Sequence, residues 1–385
     1  MTAEPAAAVR PRNRRQLIVD AAGRVFSERG YHAASMEEIA AGVGITAAAL
    51  YRHFPNKYAL FAECADVMVD GLLAALDEVP DGAPLADVLA AATRVTVAHR
   101  ASGGLYRWES RYLDRADRQV LRGKFARVVE RVADAVRREH PRPGEHLRAV
   151  AALGAIGSIT MHHTSIAQRR LEDELQSCAL RVAAADPEAS TAHAVELPAQ
   201  PVARTRRSEI LAAAVPLFER DGFAAVTNGR IAEAVGLVPS ALYRYFPGKA
   251  DILAAACLQA AALLTQAVDH NLRGVTDPRD ALAALTATYV AYSFEYNALT
   301  TVANAEIVGL PDNLRRPLVA AQRDHIAVWE QHLRAVRPDL DSRQARVLVH
   351  AGFGVVVESG RRLRWEDSPA HRAAVSALVL SALGA

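Results

Sequence analysis

The sequence predicts an all-α protein made of two homologous halves, and three observations carry that prediction. A segment of 47 residues recurs without a gap at a constant offset of 192: positions 14–60 match positions 206–252 at 19 places. Outside this repeat, apolar residues return at three- and four-residue spacing, the period of a helix with one buried face, and no stretch alternates convincingly as a half-buried strand would. Between the halves lies 185–204, which holds Pro187, Pro198 and Pro201 among Ala, Ser, Thr and Glu and reads as a linker.

The repeat fixes the domain layout. A flexible arm is expected over 1–11, a first head over 12–72 and a first helical regulatory domain over 73–185. A linker over 186–203 then leads to a second head over 204–264 and a second regulatory domain over 265–385. An extended proline-bearing linker covers about 3.1 Å per residue. It is therefore long enough to return the chain from the end of the first half to the head side.

Within the first head, Ile18, Ala21, Ala22, Val25 and Phe26 form one apolar stripe, giving a helix that stops at Gly30. Ser35-Met36-Glu37-Glu38 has the spacing of a capping box and starts a second helix. Gly42-Val43-Gly44 is a tight turn in which Gly44 can take a positive φ at little cost. Thr46 can cap a short third helix over 47–53. Phe54-Pro55 ends it, since a residue before proline is pushed out of the α region. Asn56 can cap a fourth helix beginning at Lys57. Two short helices joined by a glycine turn make a helix-turn-helix, here over about 34–53 and again over about 226–245. Its second helix is the element that enters a major groove. On the exposed side of that helix the sequence leaves Thr46, Ala47, Ala48, Tyr51, Arg52 and His53. Tyr51, His53 and Lys57 can reach phosphates, while Thr46, Ala47 and Ala48 are short enough to admit base edges, including thymine methyls.

The run Gly44-Ile45-Thr46-(x)₃-Leu50-Tyr51-Arg52-His53-Phe54-Pro55-Asn56-Lys57 resembles the TetR/AcrR family signature. Gly236-Leu237-(x)₄-Leu242-Tyr243-Arg244-Tyr245-Phe246-Pro247-Gly248-Lys249 resembles it again. The tandem layout is similar to that of tandem regulators of actinobacteria, including a mycobacterial repressor of a mammalian-cell-entry, lipid-import operon. The resemblance implies a DNA-binding transcriptional regulator, most simply a repressor released by a small apolar effector. Carried over residue by residue, it implies phosphate contacts from Ser35, Tyr51, His53 and Lys57, with Thr227, Tyr243, Tyr245 and Lys249 as counterparts. Arg14, Arg15, Arg206 and Arg207 fall where the family's first helix begins beside the DNA backbone, or are simply a solvated helix start. The second head departs from the pattern at its base-reading face, where Val238, Pro239 and Ser240 replace Thr46, Ala47 and Ala48, with Arg244 retained. Pro216, inside its first helix, is expected to cost one hydrogen bond and kink that helix.

Helical segments are expected over 85–99, 121–138, 146–170, 281–296 and 342–363. The family resemblance implies that these regulatory parts hold a ligand pocket and a four-helix interface, the latter built around 146–168 and 342–363. His99, Tyr106, Trp108 and Tyr112 in the first half, with Tyr289, Tyr292, Phe294 and Tyr296 in the second, are the candidate linings; their alternative is ordinary core or surface aromatics. The two heads on one chain imply an intramolecular pseudo-dimer on a double-stranded operator, with more than one chain per operator left open.

Other classes find little support. The net charge of +2 does not announce a nucleic-acid binder, so any basic surface must be local. Three cysteines at scattered positions make neither a disulfide framework nor a zinc site, and fit a reducing cytoplasm. No uninterrupted apolar run long enough for a membrane span occurs, and the start of the chain lacks the apolar core of a secretion signal. No nucleophile elbow or HExxH occurs, so neither an enzyme nor a cofactor is expected. His162-His163 lies in an apolar segment without a third ligand and reads as interface or core. Gly154 to Gly157 and Gly352 to Gly354 have no preceding strand, so they read as close helix packing rather than a phosphate loop. The competing class is an interaction scaffold in which one head no longer binds DNA. Retention of Tyr and Lys in both heads argues against it.

Overall fold

The computed structural model describes residues 14–105, 112–188, 193–199, 202–307 and 310–385. The expected arm over 1–11, Tyr106 and Trp108 lie outside them. In the first half, α1 (Arg14–Ala33), α2 (Met36–Val43) and α3 (Ala47–Tyr51) form the head. They are followed by α4 (Lys57–Asp77), α5 (Leu85–Ala98), α6 (Arg115–Glu139), α7 (Glu145–Gly157) and α8 (Gln168–Ala184). The second half repeats the order with α9 (Arg206–Asp221), α10 (Asn228–Ala234), α11 (Pro239–Leu242), α12 (Lys249–Asn271) and α13 (Pro278–Glu295). It continues with α14 (Asn297–Glu306), α15 (Asp312–Val336), α16 (Ser342–Arg362) and α17 (Pro369–Leu383). No strand occurs among the described residues.

Local chemistry sets the helix ends. Gly30 sits at φ 75° and interrupts α1, which resumes for one short turn to Ala33. Ser35 caps α2 by accepting the Glu38 amide, Thr46 caps α3 from Ala49, and Asn56 caps α4 from Ala59. Only half of the expected capping box forms, because the Glu38 carboxylate pairs with Arg29 at 3.1 Å. In the second head α9 runs unbroken through Pro216. Expected borders at 72/73 and 264/265 fall inside α4 and α12, so one continuous helix joins each head to its regulatory part. α12 is long and apolar enough by composition to cross a membrane. Its apolar residues have another employment: Ile252, Leu253 and Cys257 pack in the second head's core, and Ala260 and Leu263 pack beneath Tyr292.

The halves meet through α7 and α8 of the first and α16 and α17 of the second. Their apolar faces belong to one continuous core that also takes in the first head. At the centre, α7 and α16 cross in backbone contact. A Cβ on Gly154 would stand 2.6 Å from the Gly354 carbonyl oxygen, and one on Gly354 would come closer still to Gly154. Here the glycines serve the packing role expected of them. Polar clasps ring the crossing: Arg170 pairs with Asp341 at 3.0 Å, and Gln344 donates to Glu174 at 3.0 Å. Arg181 of α8 donates to the Ser381 and Ala382 carbonyls at the end of α17. Cations at a helix C-terminus satisfy carbonyls the helix itself leaves open. The fully buried Arg148 does the same within the first half, donating to Ala183, His140 and Arg142.

Two expectations change. The segment 146–170 is not one helix: α7 ends in a 3-10 turn at Met161, and His162 is extended at φ −148°. There its ring stacks on His350 of α16 at 4.0 Å between centroids, an interface role. The linker is also docked rather than loose. Asn271 brackets Glu196, donating to its carbonyl at 2.8 Å and accepting its amide at 2.9 Å. Tyr296 donates its hydroxyl to the Pro198 carbonyl at 2.6 Å.

Candidate nucleic-acid interface and effector cavity

Each head is a small core with one wet helix. Ile39, Ala40, Leu50 and Phe54 are buried in the first, and Ile231, Ala232, Leu242 and Phe246 in the second. The turn between the two helices takes the left-handed form at Gly44 (φ 70°) and Gly236 (φ 66°), and Ile45 and Leu237 return hydrogen bonds to the Ala40 and Ala232 carbonyls. This places Thr46, Ala48, Tyr51 and Arg52 in solvent on α3, and Val238, Pro239, Ser240, Tyr243 and Arg244 in solvent on α11. Ala47, His53 and Tyr245 are half-buried beside them. Tyr51 is 47% exposed, Tyr243 57% and Val238 62%, each beside a buried core. Ser35 and Thr227 cap the helices that precede the turns.

The second head compensates for its departures. Val238 offers no side-chain cap, but Pro239 at the first helical position has no N–H to satisfy and its fixed φ suits the helix start. Asn228, which stands where the first head has Met36, donates to the Tyr243 hydroxyl at 3.1 Å and so orients that ring.

Four of the expected DNA residues have internal employment. Arg15 stacks over Phe54 at 4.2 Å, donates to the His53 carbonyl at 2.9 Å and pairs with Glu63. Arg207 repeats this over Phe246 at 3.9 Å, with its donor on the Tyr245 carbonyl. These arginines thus hold the end of the recognition helix. Lys57 donates to the His32 and Ala34 carbonyls, at 3.2 and 2.9 Å, and lies over Tyr31. Lys249 donates to Phe223, Ala224 and Val226 at 2.7, 3.1 and 2.9 Å and lies over Phe223. Each lysine ties the start of the helix after the recognition helix to the end of the head's first helix. Burial holds the Lys57 ammonium below the ordinary lysine value. Of the remaining pair, Arg206 salt-bridges Glu209 at 2.6 Å, and Arg14 is half-buried at the start of α1.

A cavity of about 700 Å³ lies between the halves, walled mainly by α12 to α16. Of the expected linings, Tyr112, Tyr289 and Tyr292 face it. His99 caps α5 and is not in its wall; Phe294 is buried against Trp365; Tyr296 holds the linker. The wall also takes His325, His350, Phe353 and Trp365, none of which sequence reasoning singled out. Phe353 and His350 sit three residues apart on one helix, a pattern that on its own says only that the face is buried. The Trp329 indole donates to His325 Nε2 at 3.0 Å, which leaves the ring proton on Nδ1. Burial lowers both His325 and His350 to about 4, Arg346 adding to the effect at His350. The cavity reaches both heads: Tyr31 and His32 from the first and Phe223 and Ala224 from the second complete its wall.

Comparison with known proteins follows the same division. The profile of the domain described as "Bacterial regulatory proteins, tetR family" matches residues 18–64 and 210–256. The HTH-type transcriptional activator FasR of Mycolicibacterium smegmatis is 44% identical over 64 residues, covering 17% of this chain and 29% of FasR. The nucleoid occlusion factor SlmA of Photorhabdus laumondii is 37% identical over 67 residues, or 17% of this chain and 34% of SlmA. The HTH-type transcriptional regulator AcrR of Shigella flexneri is 47% identical over 49 residues, or 13% of this chain and 23% of AcrR. The chain thus spans about a third or less of the length of these relatives. Among solved structures, a TetR-family transcriptional regulator from Bordetella parapertussis aligns with 46% of this chain and 94% of its own, at 23% identity and a TM-score of 0.42.

Proposed function

We propose that this chain, which carries two DNA-binding domains of the TetR family, is a sequence-specific transcriptional regulator that grips one operator with both heads and lets go when a small, largely apolar molecule enters the cavity between its halves. The observation that carries the reading is the paired exposure of Tyr51 and Tyr243 on two recognition helices whose supporting residues are buried alike. Tyr51, His53, Tyr243 and Tyr245, with Arg52 and Arg244 alongside, supply phosphate contacts. Thr46 to Ala48 in one head and Val238 to Ser240 in the other meet base edges. Since those two sets differ, the operator is asymmetric, with half-sites one helical turn, ~34–36 Å, or a multiple apart. Lys57 keeps one N–H beyond its two carbonyls and contributes to phosphate binding, whereas the three N–H groups of Lys249 are matched by three carbonyls.

An effector acts by preferring the arrangement of heads that does not fit DNA. Release of this kind makes the chain a repressor. The size and largely apolar wall of the cavity support such a ligand. The competing reading, a scaffold with one silent head, draws on the departures at Val238 and Pro239. Selection of bound sequences from a random duplex pool tests both: enrichment of two distinct half-sites supports the regulator, and a single half-site supports the scaffold.

A further inference from the structure

We propose that Asn228 sets the Tyr243 hydroxyl as a proton donor to a DNA phosphate, so that the second head grips the backbone through a two-residue unit the first head does not have. The inference rests on the reading of Tyr243 as a phosphate contact and adds the residue that prepares that contact. A tyrosine hydroxyl gives one proton and accepts others on its oxygen. The Asn228 side-chain amide donates to the Tyr243 oxygen at 3.1 Å. With that donor on its oxygen, the hydroxyl keeps its own proton for a different acceptor. Tyr243 stands in solvent at the end of α11, where an acceptor from outside the chain can reach it. A phosphate oxygen has no proton of its own to give and takes just such a donor. The bond also crosses from α10 to α11, and Asn228 directly follows Thr227, so the tyrosine is held beside the other hydroxyl expected at the backbone. Thr227 is prepared in the same way: its oxygen accepts the Arg230 amide at 3.2 Å, and its proton is left to give.

The surroundings of the amide fix which way round it sits. Its Oδ1 is buried and meets no donor among the described residues. Turned over, the amide would leave two N–H groups at that buried spot instead of one carbonyl oxygen, and orphaned donors are the rarer and costlier case. Tyr243 would then spend its proton on Oδ1 and have none left for DNA. In the first head the same position is Met36, a buried thioether that belongs to the core and has no N–H to give. The Tyr51 hydroxyl therefore receives no donor from this position. The difference falls where the second head has use for it, because three Lys249 N–H groups there are matched by the Phe223, Ala224 and Val226 carbonyls, whereas two carbonyls hold Lys57.

Two measurements on the full-length chain separate the hydrogen bond from the reading of DNA binding. Without DNA, isotope-labelled tyrosine reports the Cζ resonance of Tyr243, assigned by its loss in Tyr243→Phe. Asn228→Met and Asn228→Ala should both shift that resonance while circular dichroism shows the helices retained. On the operator duplex recovered by selection, Tyr243→Phe should weaken binding about tenfold, the worth of a hydrogen bond to a charged acceptor, and Tyr51→Phe by less. Asn228→Met and Asn228→Ala should each weaken it severalfold, and adding either to Tyr243→Phe should cost nothing more. Ethylation interference should lose the same phosphate of the second half-site with Asn228→Met as with Tyr243→Phe. An unmoved Cζ resonance would overturn the proposal whatever the heads bind. Tyr243→Phe without effect on binding would overturn the reading of that residue as a phosphate contact, and the proposal with it. If Tyr243→Phe weakens binding while the Asn228 variants bind like the natural chain, or if the losses multiply in the double variant, the proposal falls and the phosphate reading stands.

Discussion

Replacing Gly154 with alanine should destabilise the chain, although alanine is the better helix former. At an open helical position the exchange gains up to about 1 kcal/mol. At position 154 the new Cβ would stand 2.6 Å from the Gly354 carbonyl oxygen and 3.1 Å from two carbons of Glu358, where ordinary contact begins at 3.4 Å. The α7 and α16 backbones must therefore part by about 0.8 Å, across the whole crossing, because the clash is with main chain and cannot be relieved by a side-chain rotation. Overpacking of this kind costs about 1–3 kcal/mol beyond the propensity gain. Gly123 is the internal control. It lies inside α6 with nothing within 4 Å of its would-be Cβ, so Gly123→Ala should stabilise by up to about 1 kcal/mol. Urea unfolding followed by circular dichroism compares the two midpoints directly. If Gly154→Ala matches Gly123→Ala in sign and size, the halves do not pack through that crossing.

Further outcomes follow from the buried polar groups. Lys57→Ala should flatten the log–log salt dependence of operator binding by about one unit, whereas Lys249→Ala should leave the slope alone and lower the stability of its head, as read by filter binding over a salt series and by melting. Arg148→Met should destabilise by about 3 kcal/mol or more, because the Ala183 carbonyl at the end of α8 and the His140 and Arg142 carbonyls after α6 each lose a hydrogen bond from the buried guanidinium, and denaturant titration measures it. For His350, burial first and the Arg346 charge second lower the folded value to about 4 from the free value of 6.5. The unfolded chain therefore binds the proton more readily between those limits. Stability that is complete above pH 6.5 is lost as pH falls toward 4, by up to about 3 kcal/mol from this ring alone, and His350→Asn should reduce the slope of unfolding free energy against pH in that window.

The heads were legible because their rules are local. Ser35, Thr46 and Asn56 each cap a helix within three residues, and Gly44 needs a positive φ that its own turn demands. The repeat carried part of this into the second head: at an offset of 192 the Ser35 cap becomes Thr227 and the Gly44 turn becomes Gly236, whereas Val238 and Gly248, the counterparts of Thr46 and Asn56, give no side-chain cap. What escaped depends on partners far away in the chain. Lys57 and Lys249 have the residue type of phosphate contacts, but their carbonyl partners lie across a loop. Tyr296 has the type of a pocket aromatic, but its hydroxyl meets Pro198 of the linker, 98 positions earlier. The break before His162 is likewise set by α16, where His350 receives its ring. The cavity was half legible for the same reason. Tyr289 and Tyr292 lie on one helix with apolar neighbours, whereas His325 and Phe353 join them only once α15 and α16 are packed.

The most direct test of two unlike heads in one chain is a hydroxyl-radical footprint on the operator recovered by selection, taken with the natural chain and with one in which Thr46–Ala49 and Val238–Ala241 are exchanged. The account predicts two protected segments of different sequence, about one helical turn or a multiple apart, whose order along the DNA reverses with the exchanged chain. Discrimination of ~1–3 kcal/mol per good base contact is enough to fix that order. A perfect palindrome protected equally by both proteins, or protection of one segment only, would contradict it.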